Sequence, residues 1–266
     1  MQHGLSPWRR CTRPKRSPLA AVDNRFAENF TPQPIHLSRT RSCSNERSHF
    51  CVSERQSDHH MQIDPSLHSN ADNYRVLTNL VVPRPIAWVT SLSQTGVINL
   101  APFSFFNAVG GDPLYVVISI GCRDDGAPKD TAKNIQTSGD FVVNLVTEDL
   151  LGAMNISAAD FPSTESELIA ANLHVAPSVH AKAPRLAQAQ ASLECKLYHS
   201  QSLGTNTLFI GEVVMFHVAD HLLGPRLQIK NFAPIGRLGS PATYCRTTDR
   251  FEVPRVTYAQ WQKDSR

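Results

Sequence analysis

Pro85-Ile86-Ala87-Trp88-Val89-Thr90-Ser91, the turn letters Ser93-Gln94-Thr95-Gly96, and the returning run Val97-Ile98-Asn99-Leu100-Ala101-Pro102-Phe103-Ser104-Phe105-Phe106 decide the architecture. β-branched and aromatic residues dominate both runs, and the break between them is polar with a glycine, so the two segments read as a β-hairpin. Working outward, residues 114–120 (LYVVISI) and 141–146 (FVVNLV) are apolar at nearly every position, the pattern of strands covered on both faces. Between them a helix is predicted. Asp130 or Thr131 can cap it, TAKNIQTS follows, and Gly139 stands at the expected stop. Residues 149–157 predict a short helix, and the Pro- and Ala-rich connection through Pro162, Pro177 and Pro184 shows no clear element. Residues 191–200 and 207–219 form a second hairpin, with Gly204 in the turn and Gly211 at a bulge. No internal repeat is present. The pattern predicts a mainly β fold with a few short helices, in which barrel closure removes the sheet edges.

The 266 residues are 41% hydrophobic, enough for one large or two small domains with a core. Charge is unevenly spread. Residues 1–60 hold ten Lys/Arg against five acids, whereas the remainder holds 16 basic and 18 acidic side chains. The body therefore offers no basic field for nucleic acid. No apolar run approaches the roughly 18–20 residues that would span a bilayer. Residues 1–60 are rich in Arg, Ser and Pro without periodicity, and are expected to form a disordered basic leader. Two origins fit that leader: an upstream mis-start before Met61, or a mitochondrial transit peptide. The folded domain is expected over 61–266. The six cysteines show no CxxC and no regular framework, which predicts reduced thiols and a cytoplasmic location, or a mitochondrial one if the leader is a transit peptide.

Motifs of nucleophilic, metal and nucleotide chemistry are missing: there is no GxSxG, HExxH, GxxxxGK[ST] or GxGxxG. His217 and His221 are four apart but fall at a strand end and its turn, so no metal site is expected. Three groups remain: residues 99–107, Ser119-Ile120-Gly121, and Lys129-Asp130-Thr131. Pro102 interrupts a strand and leaves main-chain groups for a ligand. Lys129 precedes a helix whose first N–H groups attract anions, and Thr131 adds a hydroxyl. Together they suit a phosphorylated planar ligand, with its ring along the interrupted strand and its phosphate at the helix start. The alternative is that Pro102 marks an edge and Lys129 is merely solvated.

Several blocks are familiar. Pro83 to Thr90 (PRPIAWVT), Asn99 to Asn107 (NLAPFSFFN), Lys129-Asp130-Thr131 with Asn134-Ile135, and Phe141 to Leu145 (FVVNL) stand in order. Ala158 to Pro162 (AADFP), Leu193-Glu194-Cys195, Asn206 to Val213 (NTLFIGEV) and Pro234 to Gly239 (PIGRLG) follow. From about Met61 to Pro254 the chain resembles the flavin reductase-like, FMN-binding split-barrel family. That resemblance implies a six-stranded antiparallel Greek-key split barrel, a homodimer, and FMN near the dimer interface. It implies that Asn99, Leu100, Ala101, Pro102, Phe103, Ser104 and Asn107 follow the ring and ribityl chain. Ser119, Ile120 and Gly121 would lie beside the ribityl-phosphate, and Lys129 and Thr131 would serve the phosphate. Trp88 is expected in the core rather than against the ring.

The implied activity is an FMN-dependent oxidoreductase that moves hydride or electrons between NADH or NADPH and FMN or a downstream small-molecule acceptor, with a partner oxygenase as one destination. The cofactor carries the chemistry, so no catalytic acid or base is expected. Many such reductases have Gly-Asp-His in the second hairpin. Here it reads Gly204-Thr205-Asn206-Thr207, so Asn206 either orients a substrate or completes the turn. The alternative function is an FMN-binding module or electron carrier without a nicotinamide site.

Overall fold

The structure is a computed structural model that describes residues 60–239 and 241–264. The expected leader lies outside the described residues, apart from His60. Residues 60–68 belong to a separate unit from the one that continues from Ser69. Their single element is a 3-10 turn, Pro65–Leu67, capped by the Asp64 carboxylate, which accepts from the Ser66 N–H at 2.8 Å.

From Ser69 onward, seven strands make one antiparallel sheet: β1 Ala87–Leu92, β2 Ile98–Phe103, β3 Phe106–Gly111, β4 Leu114–Gly121, β5 Asp140–Leu145, β6 Ala191–Leu203 and β7 Asn206–Val218. Their order is β2-β1-β5-β6-β7-β4-β3, so two strands consecutive in sequence stand at opposite ends of the sheet. The count exceeds the expected six because the returning arm of the first hairpin is two strands, broken at Ser104-Phe105. A barrel split at that break results.

The helices are α1 Asn70–Leu80, α2 Asp130–Ser138, α3 Leu151–Ile156, α4 Glu167–Ala170 and α5 Tyr258–Asp264. α2 runs where predicted and Gly139 closes it at φ 75°, in the left-handed region that favours glycine, but its N-cap residue is Lys129 and not Asp130 or Thr131, which lie inside the helix with their side chains engaged by Arg123, Lys133 and Asn99. α1 was not expected. Its signal is the Ser69-x-x-Asp72 spacing: the Ser69 hydroxyl accepts from the Asp72 N–H at 3.1 Å and donates to the Asp72 carboxylate at 2.6 Å.

β1 and β5 are buried on both faces. One side packs Trp88, Leu100, Val146 and Met154; the other packs Val89, Ile118, Ile135, Phe141 and Phe209. β4 departs from expectation. Val116, Ile118 and Ile120 are buried while Tyr115, Val117 and Ser119 are only half-buried, because β4 lies next to the last strand of the sheet and is covered on one face. Gly211 is needed, but for close approach: a Cβ there would meet Phe141 Cζ at 2.5 Å. The extra residue of the nearby bulge is Tyr198 on β6.

The Pro- and Ala-rich connection contains α4 and a two-residue ladder, Val175–Ala176 with Arg185–Leu186. Buried polar side chains of the sheet pin it. Thr90 donates to Pro184 O at 2.6 Å, Asn144 accepts from the Leu186 N–H at 2.9 Å, and Glu194 accepts from the N–H groups of Val179, His180 and Ala181. Among the described residues Cys195 and Cys245 are free thiols. Among the described residues no helix is long and apolar enough to cross a membrane.

Candidate functional site

β2 is an end strand of the sheet, paired only with β1. Side-chain and main-chain directions alternate along a strand, so one set of β2 peptide groups faces β1 and the other faces outward. The Leu100 N–H belongs to the outward set, because it donates to the Glu167 carboxylate of α4 at 2.8 Å. Pro102, two residues on, faces the same way, so its missing N–H costs the β1–β2 ladder nothing. The open edge therefore presents the carbonyls of Leu100 and Pro102 beside an engaged N–H. Burial pushes the Glu167 carboxyl up, opposed by the N–H groups it accepts from, its own and that of Leu100.

The start of α2 stands against this edge. Lys129 supplies no side-chain cap, so the first-turn N–H groups of α2 lack one. Thr131 is buried, and its hydroxyl accepts from Asn99 Nδ2 at 2.8 Å, joining helix to strand. Asn134 Nδ2 donates to Ser91 Oγ at 3.1 Å and fixes the helix on β1. Asp130 is taken up by ion pairs with Arg123 and Lys133. Lys129 makes no ion pair among the described residues.

A cavity of about 70 Å³ lies at this junction, lined by Asn99, Ala101, Pro102, Phe103, Arg123, Lys129, Asp130 and Thr131, with the 157–161 loop and Glu167 as its far wall. Trp88 is fully buried in the core, as expected, and its indole N–H donates to Ser157 Oγ at 2.8 Å, anchoring that loop. Pro102, Phe103 and Ala158 also border a second cavity of about 290 Å³ on the α1 side, which Ser104 joins. The predicted residues Asn99, Ala101, Pro102, Phe103, Lys129 and Thr131 thus meet at one place, and Ser104 lies next door. Leu100 takes part through its main chain, its side chain being fully buried.

The other predicted residues line neither cavity. Asn107 is exposed on β3, where its Oδ1 accepts from the Ala108 N–H at 2.9 Å. Ser119, Ile120 and Gly121 lie on β4, with Ile120 in the core. Asn206 pairs with Gly121 across the β4–β7 ladder and donates to Ser119 Oγ at 2.9 Å. Sequence reasoning missed Arg123, Glu167, Tyr74, Arg84, Arg237 and Tyr244. Only α1, which carries Tyr74, had a local signal; the rest are brought in by long-range packing.

A split antiparallel barrel with a cationic helix start beside its open edge is the class these features define. The family model for the flavin reductase like domain matches residues 79–250, and the chain belongs to that family. Nitrilotriacetate monooxygenase component B from Bacillus cereus is 35% identical, with 74% of this chain and 100% of that one covered and a TM-score of 0.69. The 2-nitrobenzoate 2-nitroreductase NbaA of Pseudomonas fluorescens is 37% identical over 74% of this chain and 98% of its own, at 0.68. A split-barrel protein from Shewanella frigidimarina shares the fold at 19% identity, with 74% of this chain and 100% of that one covered and a TM-score of 0.64.

Proposed function

We propose that this protein is an FMN-dependent oxidoreductase that passes reducing equivalents from NADH or NADPH to bound FMN and on to a second acceptor. The observation that carries the reading is the junction of Lys129, Thr131 and Asn99 at the uncapped start of α2. Its cation, Lys129, which makes no ion pair among the described residues, and its first-turn N–H groups suit a phosphate. The residues fit the cofactor. Lys129 and the α2 N–H groups would hold the phosphate, and the outward main chain of residues 100–104 would hold the ring.

When bound, FMN supplies the electron chemistry; the protein's share is to orient it and keep water from the exposed face. A cavity of about 70 Å³ accepts a phosphate-sized group and not the whole ring, which supports a homodimer whose partner completes the enclosure. The relative named as a monooxygenase component supports a partner oxygenase for this chain as well. The second reading, an FMN-binding electron carrier, is favoured by Asn206 standing where many reductases have Gly-Asp-His. Purified protein should show a flavin spectrum that bleaches on anaerobic titration with NADH or NADPH. A bound flavin that neither donor bleaches would favour the carrier, and a colourless protein that takes up no added FMN would refute both.

A further inference from the structure

Glu167 is an acid where a phosphate is expected. It is 5% exposed, stands at the first position of α4, and lines the same cavity as Lys129 and Thr131. Its Oε2 accepts from the Leu100 N–H at 2.8 Å, which ties α4 to the open edge of β2. The cations nearby are placed otherwise. Arg123 and Lys133 pair with Asp130, and no cation pairs with Glu167 among the described residues. The strand α4 packs against, β2, carries no ionisable side chain. α2 brings Lys129, Asp130 and Lys133 to this side, the 157–161 loop brings the exposed Asp160, and Arg123 lies ahead of the helix. Burial is the main influence on the Glu167 carboxyl and raises it; Asp130 adds to this, and the N–H groups of Glu167 and Leu100 oppose it.

A cavity of about 70 Å³ leaves an entering phosphate no room to stand far from this side chain. Two negative groups in a buried space repel each other with little screening by salt. A like charge at that range disfavours the ionised carboxyl. Protonation removes the repulsion without freeing the strand edge. A protonated carboxyl keeps an oxygen that accepts from the Leu100 N–H and gains an O–H donor for a phosphate oxygen. A glutamine in its place keeps the acceptor and a donor and never carries the charge. The charge and the anchor of β2 can therefore be separated by one substitution.

We propose that Glu167 makes flavin binding proton-linked: ionised in the empty site, it takes up a proton from solvent as the phosphate of FMN enters. This rests on the FMN reading above. By linkage, FMN is then held more tightly as pH falls, and riboflavin, which has no phosphate, is not. The full chain, stripped of flavin, would be titrated calorimetrically with each flavin in buffers of different ionisation heat. The range is about pH 7 to 8, where the free phosphate is already close to a dianion. FMN should bind with more proton uptake than riboflavin and should weaken relative to it as pH rises. Glu167→Gln should abolish the extra uptake, flatten that slope and bind FMN roughly tenfold more tightly at about pH 8, with riboflavin unchanged. A side chain that only held Leu100 would leave the slope in place in the glutamine variant, which overturns the proposal. Equal proton uptake with both flavins in the unmutated protein would overturn it whether or not the variant folds. Either result would still show FMN bound and leave the proposed function standing, whereas a protein that binds neither flavin would remove both.

Discussion

Glu194 is fully buried on β6, where burial alone would raise its carboxyl. The hydrogen bond from His217 Nε2 at 2.5 Å, and the N–H groups of Val179, Ala181 and His180, outweigh burial and bring it from 4.5 to about 2. A carboxyl depressed on folding adds stability above its unfolded value and loses that contribution as pH falls. The protein should therefore lose stability as pH drops from 4.5 toward 2, and Glu194→Gln should be less stable at pH 7 with a flatter acid limb. Urea unfolding across that pH range measures both; parallel acid limbs for the two proteins would contradict the account. Little of this was legible beforehand. Glu194 belongs to a family block, but its partners lie 13 to 23 residues away, and only folding brings them to it. Gly211 was legible as special, though the reason lies in the Phe141 ring on another strand.

At the scale of elements, the end of α2 was the most legible part, because its stop at Gly139 is a local signal, whereas the expected caps Asp130 and Thr131 lie inside the helix and Lys129 stands at its N-cap. Lys129 is a poor N-cap residue kept where Ser or Asp would cap better. Lys129→Ser should stabilise the helix by about 0.5–1 kcal/mol, raising Tm by about 1–4 °C, while FMN affinity falls. Calorimetric melting and flavin titration of the same variant test this together. A variant that gains stability and keeps FMN affinity would show that Lys129 does not serve the phosphate. α1 was missed because the Ser69–Asp72 spacing is brief and the helix is half apolar and largely exposed, with Thr78 its one buried residue. The break at Ser104-Phe105 was also missed, since Phe103, Phe105 and Phe106 read as strand on either side of it.

For the whole molecule, a mainly β barrel was legible from alternation and turn letters, while the strand count and the α1-side cavity depended on pairings between distant segments. The cavity of about 70 Å³ beside the open β2 edge is too small to enclose a whole isoalloxazine ring, and a second copy of the chain would supply the missing wall. FMN-loaded protein should accordingly sediment as a dimer at micromolar concentration; a flavin-loaded monomer would contradict the enclosure argument. The claim on which the rest depends is that the α2 start holds the phosphate of a flavin. Fluorescence-quenching titrations with FMN and with riboflavin, on the unmutated protein and on Lys129→Ala, test it most directly. The account predicts that FMN affinity falls roughly ten- to a hundredfold in the variant while riboflavin affinity hardly moves. Equal losses for both ligands, or no loss for either, would contradict it.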